Sequence, residues 1–190
     1  MTGASLRRAF LAVVPPGEVL DAVDGLLERS PDRRFKWTTR DQWHVTVQFY
    51  GRVRDAGELV AALRAALGAV EPVTARLRGA GAFRDAKRAD VFWLGLEVPE
   101  AFADLHAAVC AASAAFVAPR DRVVFTPHLT LARLRRAADL RPEVDTLEGV
   151  AVGPAWTVRE LVLFESETRR EGALHHEVAR IPLRGPANGA

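Results

Sequence analysis

Two short segments of the chain carry the same pattern of side chains that can transfer protons. His44-Val-Thr-Val47 and His128-Leu-Thr-Leu131 each place a histidine two residues before a threonine. They lie 128 − 44 = 84 residues apart in a chain of 190. An imidazole titrates near neutral pH, so it can take or give a proton under physiological conditions. We therefore treat the two segments as halves of one active site.

The alternation of side chains along a strand predicts which of these residues share a face. His44, Thr46 and Gln48 are expected to point one way in the first segment. His128 and Thr130 are expected to do the same in the second. The opposite face of the first segment, toward the core, is expected to hold Val45, Val47 and Phe49. Each strand would then present an imidazole and a hydroxyl about 7 Å apart.

Two imidazoles and two hydroxyls facing a groove are suited to opening a cyclic phosphodiester. One imidazole would take a proton from water, and the other would give a proton to the departing ribose oxygen. The threonine hydroxyls can donate to the non-bridging phosphate oxygens, whose charge rises in the transition state. This chemistry requires no metal. A single His-x-Thr-x segment is more often a solvated strand face, but two copies with matched spacing favour a function.

A few other side chains are candidates for the same site or for alternatives to it. Arg133 follows Thr130 by three residues, so it reaches the groove only if the strand ends or bulges there. Phe10 could stack on a base in the groove or could pack in the core. Cys110 is the only cysteine, which excludes an internal disulfide and a cysteine-rich zinc cluster. A metal protein that uses His44 and His128 as ligands is another alternative, but the absence of nearby carboxylate or cysteine ligands argues against it.

Composition is that of an ordinary globular protein with an arginine-rich surface. The chain is 49% hydrophobic and carries a net charge of +2, and its only lysines are Lys36 and Lys87. Arginine suits bidentate contacts with phosphate, although a GC-rich genome would produce the same bias. No signal peptide or membrane span is predicted. We expect a cytoplasmic protein that acts as a monomer.

Hydrophobic periodicity predicts eight strands and four helices. Strands are expected at 8–14, 35–37, 43–50, 72–83, 90–98, 123–133, 156–164 and 174–183, and helices at 17–29, 55–70, 99–116 and 139–147. Asp55 is expected to cap the second helix together with Glu58. Runs of neighbouring strands joined by short turns indicate antiparallel sheet and an α+β fold.

Three segments resemble a known family. Trp43-His-Val-Thr-Val-Gln-Phe-Tyr-Gly51, Phe125-Thr-Pro-His-Leu-Thr-Leu-Ala-Arg133 and the closing 161–184 segment resemble the 2H phosphoesterase superfamily, which is named for two His-x-Thr/Ser-x motifs. Within it the chain is similar to the RNA 2′,3′-cyclic phosphodiesterases, historically called 2′-5′ RNA ligases. The resemblance covers roughly residues 8–184.

The resemblance implies a bilobal α+β fold. Two antiparallel sheets with outer helices would be related by a pseudo-twofold axis, with the active-site groove between them. Residues 1–184 would form one catalytic domain, and 185–190 a disordered tail.

The implied reaction is the hydrolysis of RNA 2′,3′-cyclic phosphate ends to a 2′-phosphate, without a cofactor or metal. His44 would be the proton donor and His128 the proton acceptor, with Thr46 and Thr130 on the phosphate and Arg133 on the substrate.

The sequence also departs from the family pattern and leaves alternatives open. Gln48 replaces a usual lysine, Tyr50 a usual leucine, and His175 a frequent tyrosine. The same site could work in reverse as a 2′-5′ RNA ligase, or act on 2′-5′ oligoadenylate or a cyclic nucleotide. A non-catalytic module that binds RNA ends is a further alternative, against which both intact motifs argue.

Overall fold

The computed structural model describes residues 4–27, 33–97, 100–117, 125–169 and 172–185. Within these ranges the chain forms nine strands and four α-helices. The strands are β1 (Leu6–Val13), β2 (Phe35–Trp37), β3 (Val45–Val53), β4 (Val73–Phe83), β5 (Ala89–Glu97), β6 (His128–Ala138), β7 (Ala151–Val158), β8 (Glu160–Thr168) and β9 (Ala173–Pro182). The helices are α1 (Gly17–Leu27), α2 (Ala56–Leu67), α3 (Glu100–Ser113) and α4 (Arg141–Thr146).

The strands form one antiparallel sheet in the order β7-β4-β5-β6-β3-β1-β8-β9, and the short β2 pairs with β6. The sheet has two halves of four strands each, β7-β4-β5-β6 and β3-β1-β8-β9. Strands β6 and β3 belong to different halves, and their register is given by one pair, Val45 opposite Leu129. The expected α+β, antiparallel fold with few helices is confirmed. The two expected sheets are joined into one at this pair of residues.

Helices cover one face of the sheet and leave the other face for the site. The long helices α2 and α3 pack against each other. Their fully buried hydrophobic residues are Leu59, Leu63, Leu67, Phe102, Leu105 and Val109. Asp55 caps α2 by accepting a hydrogen bond from the Glu58 amide at 3.1 Å, as its sequence predicts. The resulting core forms a single hydrophobic cluster that supports both motif strands from behind.

The prediction of one strand over 156–164 is wrong. The chain forms two strands there, β7 ending at Val158 and β8 beginning at Glu160. β7 pairs with β4 in one half of the sheet, whereas β8 pairs with β1 in the other. The chain therefore passes between the halves at Arg159. The prediction missed this break because both strands bury apolar side chains, so the hydrophobic pattern resembles that of one strand.

Two other strands are longer than predicted. β3 continues past Gly51, which adopts a φ of 70°, to Val53. β6 continues past Arg133 to Ala138, which pairs with Ala89 of β5. Several predicted boundaries lie outside the described residues, namely the end of the first helix at 29, position 98, the third helix start at 99, the strand start at 123 and the tail from 186 onward.

None of the helices in the described part of the chain combines the length and the apolar character needed to cross a membrane.

Candidate active site

The two motif segments meet at the centre of the sheet, where its two halves join. Since Val45 lies opposite Leu129, the histidines that precede them, His44 and His128, flank the join. All six residues selected from the sequence line one cavity of about 600 Å³. They are Phe10, His44, Thr46, His128, Thr130 and Arg133.

The two histidines are held in the same way. In each, Nδ1 lies 2.7 Å from the carbonyl oxygen two residues earlier in the chain, Gln42 for His44 and Thr126 for His128. A carbonyl oxygen only accepts hydrogen bonds, so Nδ1 carries the proton and donates it. The neutral ring then has Nε2 as its free acceptor. Both imidazoles are therefore fixed in the tautomer that leaves Nε2 to act on a bound group.

Burial lowers the pKa of both imidazoles. The pKa of His44 falls to about 4, first because the ring is desolvated and then because His175 and His128 add positive charge nearby. The pKa of His128 is also lowered, mainly by burial and additionally by the charge of Arg133. In the ligand-free protein both rings are consequently neutral at pH 7.

Aromatic rings pack against each histidine, but with different chemistry. The His44 ring lies 4.7 Å from that of Phe10 and 5.1 Å from that of His175, between ring centroids. The His128 ring lies 4.6 Å from that of Phe83 and 5.8 Å from that of Trp93. Only the His44 side contains a second ionisable ring among these described contacts. The two motif histidines are thus similar in geometry but not in charge environment.

Phe10 contributes to the site through packing. Its ring is 4% exposed and also stacks on Phe164 at 5.3 Å. So small an exposed surface offers little area to a base. Stacking of Phe10 on substrate stays a prediction, while its contact with His44 gives it a clear role in orienting that imidazole.

A β-bulge explains how Arg133 reaches the cavity. In the pairing of β5 with β6, Trp93 lies opposite Thr130 and Phe92 lies opposite Ala132, which leaves Leu131 as the extra residue. Leu131 and Ala132 are both buried, and the alternation then resumes with Arg133 exposed on the groove side. The sequence left two ways for Arg133 to reach the groove, a strand end or a bulge, and the structure contains the bulge.

Thr38, which also lines the cavity, supports this bulge. Its hydroxyl lies 2.8 Å and 2.7 Å from the carbonyl oxygens of Thr130 and Leu131 and donates its proton to this pair. The indole Nε1 of Trp43 donates to the same hydroxyl at 2.9 Å. This relay connects the residue before His44 with the residues around Thr130. It fixes the two motif strands relative to each other.

A matching bulge in the first motif strand changes the expected orientation of two residues. Ala12 lies opposite Thr46 and Leu11 lies opposite Gln48, so Val47 is the extra residue. Gln48 consequently turns to the helix side, where Cys110 of α3 lies 3.4 Å from its Oε1. Phe49 turns into the groove and lines the cavity. The predicted faces of Gln48 and Phe49 were wrong because strict alternation does not anticipate a bulge.

Sequence reasoning also missed several lining residues. Arg8, Lys36, Phe49 and His175 all face the cavity. The sequence marks His175 only as a departure from the family pattern. The remaining three carry no local signal, since isolated basic or aromatic residues on strands are common. Their position follows from strand pairing between distant segments.

A metal centre receives no support from the side chains described here. Residues 4–27, 33–97, 100–117, 125–169 and 172–185 contain no cluster of three or more histidine, cysteine, aspartate or glutamate side chains arranged to hold an ion.

The chain belongs to the 2′-5′ RNA ligase superfamily, whose family model matches residues 15–170. This confirms the resemblance drawn from the motifs. An RNA 2′,3′-cyclic phosphodiesterase of Methanothermobacter thermautotrophicus is 31% identical over 183 residues, covering 90% of this chain and 96% of the relative. A protein of the same name from Geobacillus stearothermophilus is 27% identical over 186 residues, covering 95% of this chain but 58% of the relative.

Solved structures give the same fold. The protein TT0787 of Thermus thermophilus superposes with a TM-score of 0.78 at 28% identity, over 94% of this chain and 98% of that one. Escherichia coli LigT in its apo form superposes with a TM-score of 0.71 at 23% identity, over 96% and 100% of the two chains.

Proposed function

We propose that this protein hydrolyses 2′,3′-cyclic phosphate ends of RNA to 2′-phosphates. The observation that carries the proposal is the matched pair of imidazoles, each fixed through Nδ1 at 2.7 Å and facing one cavity. The name of the M. thermautotrophicus relative, RNA 2′,3′-cyclic phosphodiesterase, supports this choice of substrate.

The reaction balances with two histidines. His128 Nε2 takes a proton from water, whose oxygen attacks the phosphorus. The bond between phosphorus and the ribose 3′ oxygen breaks, and His44 Nε2 gives its proton to that oxygen. The product carries a 2′-phosphate and a 3′-hydroxyl. Thr46 and Thr130, both half-buried in the cavity, donate to the non-bridging oxygens as their charge rises.

The charges of the cavity wall suit an anionic substrate. Arg8, Lys36, Arg133 and Arg169 line it, whereas Asp41 is the only carboxylate among its described lining residues. A bound phosphate also raises the pKa of both imidazoles, because an anion favours their charged form. The donor can therefore acquire its proton when the substrate binds, although it is neutral in the free protein.

The test is an assay with defined RNA ends in the presence of EDTA. An oligonucleotide ending in 2′,3′-cyclic phosphate should be converted to the 2′-phosphate, which is distinguished from the 3′-phosphate by its resistance to a 3′-specific phosphatase. Absence of turnover, or turnover only when metal is added, would contradict the proposal. Tight binding of the cyclic end without turnover would favour the alternative of an RNA-end-binding module.

The roles of the two histidines are tested with a second substrate. A diester with a good leaving group, such as a nitrophenyl ester, needs little help from a general acid. With that substrate, His44→Ala should lose much less activity than it does on RNA. His128→Ala should lose as much activity on that substrate as it does on RNA. The opposite pattern would exchange the two roles.

The reverse reaction uses the same groups. Joining a 5′-hydroxyl to the cyclic phosphate would need one imidazole as base and the other as acid, with roles exchanged. Water is the more abundant nucleophile at dilute RNA ends, so hydrolysis is the expected net direction.

A further inference from the structure

The carbonyl groups that hold the two motif histidines belong to equivalent positions with different sequences. Gln42 and Thr126 supply these carbonyls, and 126 − 42 = 84 is the spacing of the motifs themselves. The following residue is Trp43 in the first segment but Pro127 in the second. A proline restricts the residue before it to extended backbone conformations, so Pro127 limits how the Thr126 carbonyl can turn. Trp43 places no such limit on the carbonyl of Gln42.

The side chain of Gln42 is bonded at both ends of its amide. Its Oε1 accepts a hydrogen bond from the Thr39 amide at 3.2 Å, and its Nε2 donates to the Ala173 carbonyl oxygen at 2.7 Å. Each end therefore has the partner that its chemistry requires, a donor for the oxygen and an acceptor for the nitrogen. The equivalent side chain of Thr126 makes no hydrogen bond among the described residues.

One of the two bonds joins the His44 segment to β9. Ala173 is the first residue of β9, the strand from which His175 packs edge-on against the His44 ring. A Cβ at Gly172, the preceding residue, would lie 2.8 Å from Nε2 of Gln42, so the chain at Gly172 fits closely around the amide. The side chain of Gln42 thus connects two groups that contact His44, namely its own carbonyl and β9.

We propose that Gln42 is a positioning residue, whose side chain keeps its own carbonyl where it fixes the tautomer and the orientation of His44. The part that this orientation plays in proton transfer rests on the proposed function. Without the bond to Ala173, the peptide that carries the carbonyl can turn, and Nδ1 of His44 loses its acceptor at 2.7 Å. The ring can then exchange tautomers, so Nε2 is no longer held toward the leaving oxygen.

NMR of the histidine rings tests the proposal without relying on turnover. Long-range proton–nitrogen spectra at pH 7 distinguish a neutral ring protonated at Nδ1 from one protonated at Nε2. Gln42→Glu keeps an acceptor for the Thr39 amide, but its carboxylate cannot donate to the Ala173 carbonyl. In this variant the His44 ring should become a mixture of the two tautomers. The His128 ring should stay protonated at Nδ1, which makes it a control within the same molecule.

Kinetics give a second readout, which a general loss of structure would not reproduce. Gln42→Glu should lower kcat on an RNA 2′,3′-cyclic phosphate end by about 10- to 100-fold, because a misplacement of about 1 Å can cost about 100-fold. KM should stay close to the wild-type value, because Thr130 and Arg133 lie on β6 and keep their positions. On a diester with a nitrophenyl leaving group, which depends little on the general acid, the loss should be much smaller.

Two further variants keep the outcome decisive. Gln42→Met has a side chain of similar length, removes both hydrogen bonds and adds no charge, so it should act in the same direction as Gln42→Glu. Gln48→Glu is the matched control, because Gln48 is the only other glutamine of the chain and lies on the helix side of β3. It should leave the His44 tautomer and kcat unchanged. Thermal unfolding checks that each variant is folded.

The proposal is overturned if the His44 ring keeps its wild-type tautomer in folded Gln42→Glu and Gln42→Met, or if the His128 ring changes equally. It is also overturned if KM rises while kcat is unchanged, since the amide would then act on the substrate directly. Equal effects of Gln48→Glu and Gln42→Glu would overturn it as well. A change of tautomer confined to His44, in a protein that never hydrolyses a cyclic end, would refute the proposed function alone.

Discussion

The imidazole of His175 lies edge-on to that of His44, with ring centroids 5.1 Å apart and ring planes at 87°. It projects from β9, while Phe10 of β1 and Phe164 of β8 pack around the same histidine. His175 is the second cause, after burial, of the low pKa of His44. It therefore makes the two otherwise equivalent motif histidines unequal.

Replacing His175 with phenylalanine should raise the pKa of His44. The ring that packs edge-on is kept, while its positive charge is removed. The pKa should rise from about 4 but remain below 6.5, because burial is the larger cause and persists. Titration of the His44 ring signals by NMR measures the change. His176→Gln, an exposed neighbour that is paired with Glu167, is the control. An unchanged or lower pKa in His175→Phe would show that His175 does not act on His44 through charge.

The pH dependence of the reaction should differ between its two kinetic constants. Turnover requires one neutral and one protonated imidazole, and in the free protein the pKa values of both are lowered. The optimum of kcat/KM should therefore lie below pH 6.5, since that profile reports the free enzyme. The kcat profile should lie at higher pH, because the bound phosphate anion raises both pKa values. A kcat/KM optimum above about pH 7, or two superimposable profiles, would contradict this account.

Arg133→Gln should lower kcat/KM by about 10- to 100-fold, the range expected when a charged hydrogen bond to phosphate is lost. It should also raise the pKa of His128, because the guanidinium charge lowers it. Arg133→Lys keeps the charge but loses the forked geometry, so it should recover only part of the activity. Steady-state kinetics and NMR titration provide the two measurements.

The matched control is Arg135→Gln, which removes an exposed arginine of the same strand that does not line the cavity. Equal losses in Arg133→Gln and Arg135→Gln would mean that Arg133 acts only through the general charge of the surface.

Gly81→Ala should destabilise the protein and damage the site together. A Cβ at Gly81 would lie 2.2 Å from the ring of Trp93, which packs beside His128. Displacing that ring should lower the free energy of unfolding by about 1–3 kcal/mol and reduce activity. Gly25→Ala, in α1 with open space around the new methyl group, should instead raise stability by up to about 1 kcal/mol. Denaturant unfolding measures the free energy of unfolding of both variants. If Gly81→Ala is as stable as the wild type, the sheet adjusts to the methyl group and the prediction is wrong.

The sequence predicted most of the secondary structure, and the six site residues selected from it line one cavity. The periodicity of α2, its Asp55 cap and the repeated motifs are local signals, so they could be read directly. The bulges at Val47 and Leu131 could not be, because they depend on pairing with β1 and β5. They decide whether Gln48, Phe49 and Arg133 face the groove. The break at Arg159 was missed for a similar reason, since it reflects which distant strand each segment pairs with.

The chemistry of the site was likewise predictable from the sequence only where it depends on local patterns of residues. Histidine and threonine at matched spacing identified the catalytic candidates from residue types alone. The low pKa of His44 could not be foreseen, because it follows from burial and from His175, which is 175 − 44 = 131 residues away in the sequence. Lys36 reaches the cavity because β2 pairs with β6 beside Arg133. Such relationships arise only when the chain is folded.

The central claim is that His44 and His128 act together on one cyclic phosphate, and single-turnover rates with EDTA present test it most directly. His44→Ala and His128→Ala should each lower the rate on an RNA 2′,3′-cyclic phosphate end by about 10²- to 10⁴-fold, the usual contribution of a general acid or base. The double variant should lose little more than the worse single variant, because the two groups act in one step. His176→Ala should retain full activity. Near wild-type rates for either His44→Ala or His128→Ala would contradict the paired-imidazole mechanism.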